Sequence, residues 1–160
     1  IDCRDFGVPV LRLQHHARPN QEVNPLRERV ATVGYEGSTD HLGRWAAVLE
    51  QECRRRGWRF QVNPRQLADL DLVVALRERQ GYAAVRWKSG VKLSNAQATG
   101  TPFIGAPEAG YLEQAVTSCE RWSWTAEGLS TALDELTPLQ ERQRVSALMR
   151  TAAPKLMAEL

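Results

Sequence analysis

Apolar residues recur along this chain at two periods, and the alternation of the two outlines its elements. Residues 29–35 are rich in β-branched and apolar positions and predict a strand. The strand opens into a turn of small residues, in which Ser38 and Asp40 are helix-capping types. Leu42, Trp45, Ala46, Leu49 and Cys53 then follow helical spacing, predicting a helix over 41–56 with Gly57 as its C-terminal cap. A short alternating strand is expected at 58–62 and a helical turn at 64–68. The nearly continuous apolar run 70–76 reads as a strand buried on both faces. Beyond a polar loop, 77–90, the pattern predicts a helix over 92–99 ended by Gly100 and a buried strand at 102–106. A helix at 109–116, a short strand around Trp122 and Trp124, and a helix at 126–136 follow. The tail from Pro138 reads as one amphipathic helix, or two divided at Pro154. Upstream, 8–13 is strand-like, and Pro19 and Pro25 mark a polar connector.

Strands alternating with helices predict an α/β fold of Rossmann-like type. The expected architecture is a doubly wound parallel sheet with helices on both faces, closed by C-terminal helices. In such sheets ligands collect beyond the carboxyl ends of the strands, where the strand order reverses. The loops to watch are therefore 34–40, 63–65, 77–92 and 106–111. A length of 160 residues suits one domain. We divide the chain into a connector, 1–28, and a ligand-binding domain, 29–160.

Composition narrows the function classes. The 42% hydrophobic and 25% charged residues are those of a globular protein, and a net charge of +2 is too mild for a nucleic-acid-binding face. Cys3, Cys53 and Cys119 are too widely spaced for a disulfide framework or a zinc site. They are expected to be reduced thiols in a cytoplasmic protein. No apolar run approaches the roughly 20 residues that span a bilayer. Because the chain starts at Ile1 without methionine, upstream sequence is expected.

The densest candidate chemistry surrounds the helix start at Gly90. Lys88 and Lys92 flank it, and a helix N-terminus with lysines beside it suits phosphate. Solvated surface lysines are the plainer alternative. Asn95, one turn on, is either a ribose contact or a satisfied polar residue on a helix face. The turn at Gly37 and Ser38 can turn backbone amides toward a pyrophosphate, though it is not a GxGxxG fingerprint. Glu108 precedes a helix, and spacing alone favours a capping role over one on sugar hydroxyls. His15 and His16 would point to opposite faces of a strand, which argues against a shared metal. Neither a metal nor a bound cofactor is expected. The tryptophans read as core, with Trp87 the one that could border a ligand.

From Ala68 through Tyr111 the chain resembles the C-terminal, donor-binding domain of GT-B glycosyltransferases, in particular the large retaining group 1. The resemblance rests on Ala68-Asp69 leading into an apolar strand, on Lys92-Leu93 followed by Gly100-Thr101-Pro102, and on Pro107-Glu108-Ala109-Gly110-Tyr111. The Val33 to Gly37 strand and turn match the opening of that domain. The resemblance implies that donor diphosphate lies near Gly37, Ser38, Lys88 and Lys92. It puts Asn95 near the ribose, and Glu108, Gly110 and Tyr111 at the donor sugar. It also implies a nucleotide-sugar donor and an N-terminal acceptor domain, with 1–28 as the interdomain strand and linker. Many members carry two glutamates where this chain has Trp87 and Asn95, so that role does not carry over. Two alternatives share the architecture: a non-catalytic nucleotide- or partner-binding domain, and a sugar-nucleotide epimerase, which would need carboxylates and a histidine at the cleft.

Overall fold

The computed structural model describes residues 16–78, 89–116 and 118–153. Their strands are β1 (Thr32–Tyr35), β2 (Arg59–Val62), β3 (Leu72–Ala75), β4 (Phe103–Gly105) and β5 (Arg121–Trp122). The helices are α1 (Thr39–Leu42), α2 (Trp45–Arg56), α3 (Val91–Thr99), α4 (Ala109–Leu112), α5 (Ala126–Glu135) and α6 (Leu139–Ala152), with a 3-10 turn at Leu67–Asp69.

The strands form one sheet in the order β2-β1-β3-β4-β5, every pair parallel. Tyr35 stands opposite Val62 on one side and Val74 on the other, and Ala75 stands opposite Gly105. β1 and β3 are buried along their whole length, as central strands of a two-faced sheet must be. From β1 the chain steps outward one way to β2, and from β3 it steps the other way. Right-handed crossovers that step in opposite directions are expected to lie on opposite faces of the sheet. Arg55 and Arg56 of α2 reach Ser130 and Asp134 of α5, so these two helices share a face. On the other face α3 packs on α6; a Cβ at Gly100 would meet Ser146 Oγ at 2.4 Å. The fold is a doubly wound α/β sheet with closing C-terminal helices.

Most predicted elements form, and the departures have local causes. The helix expected over 41–56 breaks at Gly43, where φ is 52°. Glu78 stitches the break: its carboxylate accepts the Arg44 N–H at 2.9 Å, and its own N–H donates to the His41 carbonyl at 3.0 Å. α4 stops at Leu112, short of Val116. Gln97 donates to the Gln114 carbonyl and Glu120 accepts the Val116 N–H, both groups a longer helix would need. β5 ends at Trp122, because the Ser123 hydroxyl bonds both backbone groups of Thr125 and turns Trp124 into the entry of α5. α6 is a single helix to Ala152; Pro154, the strand-like run 8–13, Cys3 and His15 lie outside the described residues.

The described part of the connector, 16–28, has no regular structure but is bound to the domain. The Asn24 side chain donates to the Leu70 carbonyl and to Thr101 Oγ1, while its backbone N–H donates to Thr99. Arg142 of α6, fully buried, donates to the carbonyls of Arg27 and Glu28 at 2.8 and 2.9 Å. Among the described residues no helix is long and apolar enough to cross a membrane.

Candidate functional site

The strand order reverses between β1 and β3, so the crevice to examine lies beyond their carboxyl ends. Residues 35–38 arrive there from β1, Arg77 from β3, residues 108–111 from β4, and the first turn of α3 closes the side.

Lys92 and Gly37, 55 positions apart in sequence, meet at this edge. The Lys92 ammonium lies 4.1 Å from the centre of the Tyr35 ring, and a Cβ on Gly37 would come within 3.2 Å of it. Gly37 has φ 133°, which a side chain would strain. Its N–H is already donated to Asn63 Oδ1 at 2.7 Å, and Asn63 Nδ2 returns a bond to the Gly37 carbonyl. The positive group at this turn is therefore Lys92 rather than the glycine amide. Ser38 caps α1, its hydroxyl accepting the Asp40 N–H. Lys88 and Trp87 lie outside the described residues.

Asn95 is buried in α3, and its amide is in use. Its Oδ1 accepts the Arg18 N–H at 2.9 Å, and its Nδ2 donates to Glu36 Oε2 at 3.2 Å. The Arg18 guanidinium closes this ring on Glu36 Oε1 at 3.0 Å. Both hydrogen-bonding groups of the Asn95 side chain thus have partners within the chain. Glu36, only 6% exposed, was not singled out in the sequence; an acid directly after a buried strand was the available signal.

Glu108 corrects an expectation. It occupies the position before α4 but makes no capping hydrogen bond. Its carboxylate instead takes a two-pronged bond from Arg77, Nε to Oε1 at 2.8 Å and Nη2 to Oε2 at 3.3 Å. The two side chains are 9% and 1% exposed, so this pair is buried. Arg77 was missed because it opens what reads as a polar loop, where arginine is ordinary. Tyr111 packs edge-on against Phe103, ring centres 5.4 Å apart. Burial first, and then the Glu108 carboxylate, push the Tyr111 phenol well above its ordinary range, so it stays protonated. The Gly110 carbonyl would lie 2.4 Å from a Cβ on Gly90, so the start of α3 abuts α4 and only glycine fits at 90.

A groove of about 590 Å³ lies at the opposite edge, lined by Arg27, Thr32, Arg59, Gln61, Asp69 and Asp71. Arg27 is engaged there by Asp71 and the Ala68 carbonyl, and the amino-terminal edge is not where doubly wound sheets take ligands. The site is assigned to the carboxyl edge on that ground. Among the described residues no group of three or more His, Cys, Asp or Glu could hold a metal ion. Cys53 and Cys119 are buried, and burial pushes the Cys53 thiol up to about 11. Trp45 is buried, while Trp58, Trp122 and Trp124 pack partly buried against the core.

No protein-family model matches this chain. No curated protein matches it either. What the sheet itself establishes is an α/β fold with five parallel strands.

Proposed function

We propose that this chain is the donor-binding domain of a glycosyltransferase, holding a nucleoside-diphosphate sugar beyond the carboxyl ends of β1, β3 and β4. The observation that carries the reading is the meeting of Lys92 with the Gly37 turn at the point where the strand order reverses. Two segments picked out by their suitability for phosphate thus converge where such sheets take ligands. α3 has no side-chain cap at Gly90, so its first amides suit an anion as well. In this reading Lys92, with Ser38 and Gly37, faces the diphosphate, and Asn95 with Glu36 receives the ribose hydroxyls once Arg18 is displaced. Gly110 and Tyr111 border the sugar. Positive charge and amide dipoles at the leaving nucleoside diphosphate are the contribution such a site makes to transfer. The acceptor is then supplied by a second domain.

The test is a thermal-shift screen of nucleoside diphosphates, followed by titration of Lys92→Ala. A ligand at about 100 times its Kd stabilises a domain by about 2.7 kcal/mol, so a nucleoside diphosphate should raise Tm clearly and the free nucleoside much less. Lys92→Ala should weaken binding about ten-fold to a hundred-fold. Its effect on unliganded stability should stay near 1 kcal/mol, about the size of its contact with the Tyr35 ring. Absence of any shift at millimolar nucleotide would sink the reading.

A second reading, a nucleotide-binding module without catalysis, is favoured by one observation: Glu108, the carboxylate nearest the expected sugar position, is held by Arg77. Binding without transfer, when the chain is assayed joined to its acceptor domain, would select it.

A further inference from the structure

The Arg77–Glu108 pair invites a more specific statement about the carboxyl edge. Glu108 grips the guanidinium side-on, through Nε and Nη2. That leaves the end-on edge, Nη1 with the second hydrogen of Nη2. Among the described residues this edge has one partner, the Glu78 carbonyl, at 3.5 Å from Nη1. Such a bond is at the limit of usefulness. The two bonds to Glu108 join two buried residues, whereas the Nη1 bond runs to Glu78, which is only partly buried.

We infer that Arg77 is an anion-binding residue which takes a phosphate group on its end-on edge, with Glu108 fixing the plane of the guanidinium. The planar fork matches two phosphate oxygens. Because the guanidinium is largely withdrawn from water, its pull on an anion is screened little by salt. Its surroundings suit a phosphate ligand as well. Tyr111 lies at the same edge, and its phenol feels the charges of Glu108, Arg77 and Glu36. Both nearby acids have cationic partners, Glu36 in Arg18 and Glu108 in Arg77, and Lys92 stands over the Tyr35 ring. The assignment shares its edge with the proposed donor site but stands on the ion pair, and it does not require a nucleotide.

Glu108 gives the test its sign. Glu108→Gln keeps an oxygen that accepts from Nε while removing the negative charge beside the guanidinium, so an anion on Arg77 should bind more tightly. Inorganic pyrophosphate and a set of nucleoside diphosphates are titrated calorimetrically into wild type, Arg77→Lys, Arg77→Gln and Glu108→Gln at fixed ionic strength, each variant first checked by melting. Pyrophosphate should bind wild type, weaken about ten-fold in both Arg77 variants, and tighten several-fold in Glu108→Gln. A pair that only clasps β3 to β4 would instead lower the melting temperature in these variants and leave affinity unmoved. Arg77→Lys serves if Arg77→Gln does not fold. Pyrophosphate binding unchanged across the series overturns the assignment, and so does its absence from wild type at millimolar concentration. If pyrophosphate binds through Arg77 and no nucleoside diphosphate binds better, the assignment stands and the donor reading falls. If a nucleotide binds but ignores Arg77, the donor reading stands and the assignment falls.

Discussion

At the residue scale, polar groups hold this domain's long-range connections. Arg142 has no exposed surface, and burial pulls its pKa down. It keeps its place by donating to the Arg27 and Glu28 carbonyls, which pins the connector against α6. Arg142→Ala leaves a void and orphans those carbonyls, and should cost roughly 3 kcal/mol in urea denaturation. Hydrogen exchange should rise across 24–31 more than across β3. A loss under about 0.5 kcal/mol, the size of an ordinary surface change, would show that the pin is dispensable. Asp71 plays a related part at the same edge, accepting the Ala31 and Thr32 N–H groups at 2.8 Å each, so that a polar residue at the start of a buried run aligns β1 beside β3. Lys92 was legible in the sequence because a lysine at a helix start is electrostatically out of place. Glu36 and Arg77 were not, because what makes each of them notable is a partner 59 or 31 residues away.

At the element scale, helix ends were read more surely than helix lengths. Gly57 and Gly100 close α2 and α3 in left-handed conformations, φ 71° and 70°, as the apolar spacing before them predicts. α5 starts at Thr125, whose hydroxyl accepts the Gly128 N–H at 3.0 Å. Thr125→Ala should therefore cost about 1 kcal/mol, and Thr125→Ser or Thr125→Asp should restore most of it. Equal melting temperatures for the three variants would mean that α5 is held by packing alone. The breaks that periodicity missed, at Gly43 and after Leu112, are made by Glu78, Gln97 and Glu120, which come from other elements and compete for backbone groups. Helical spacing carries no trace of such competition.

At the scale of the whole molecule, charge networks tie β5, α5 and α6 together. Arg121 bonds both Glu135 and Glu141, and Arg144 bonds Glu141 as well. The hydrogen bond from Arg144 does most to hold the Glu141 carboxyl down, from its ordinary 4.5 to about 2, with Arg121 adding to it against a partial desolvation penalty. A depressed folded-state pKa stabilises the fold above the unfolded value and loses that contribution as pH falls through the folded value. Stability should thus decline between about pH 4.5 and pH 2 through this group. Glu141→Gln, which resembles the protonated acid, should flatten the decline in that window by lowering stability near neutrality, and only modestly, because the network is partly exposed and water screens it. Identical acid unfolding profiles for the two proteins would remove Glu141 from the account.

What the sequence determined by itself was the succession of elements and hence the class of fold. Strand and helix periods are local, and alternation of the two requires a parallel sheet covered on both faces. It also determined which loops collect beyond the carboxyl ends, and that Lys92 stands at a helix start among them. Only the tertiary structure decided which of those loop residues meet. It committed the Gly37 amide to Asn63, set Asn95 against Glu36 and Arg18, and turned Glu108 from a cap into the partner of Arg77. The physical reason is that a side chain's role depends on the field and hydrogen-bond partners around it. At a sheet edge these come from strands distant in sequence, so no local pattern records them.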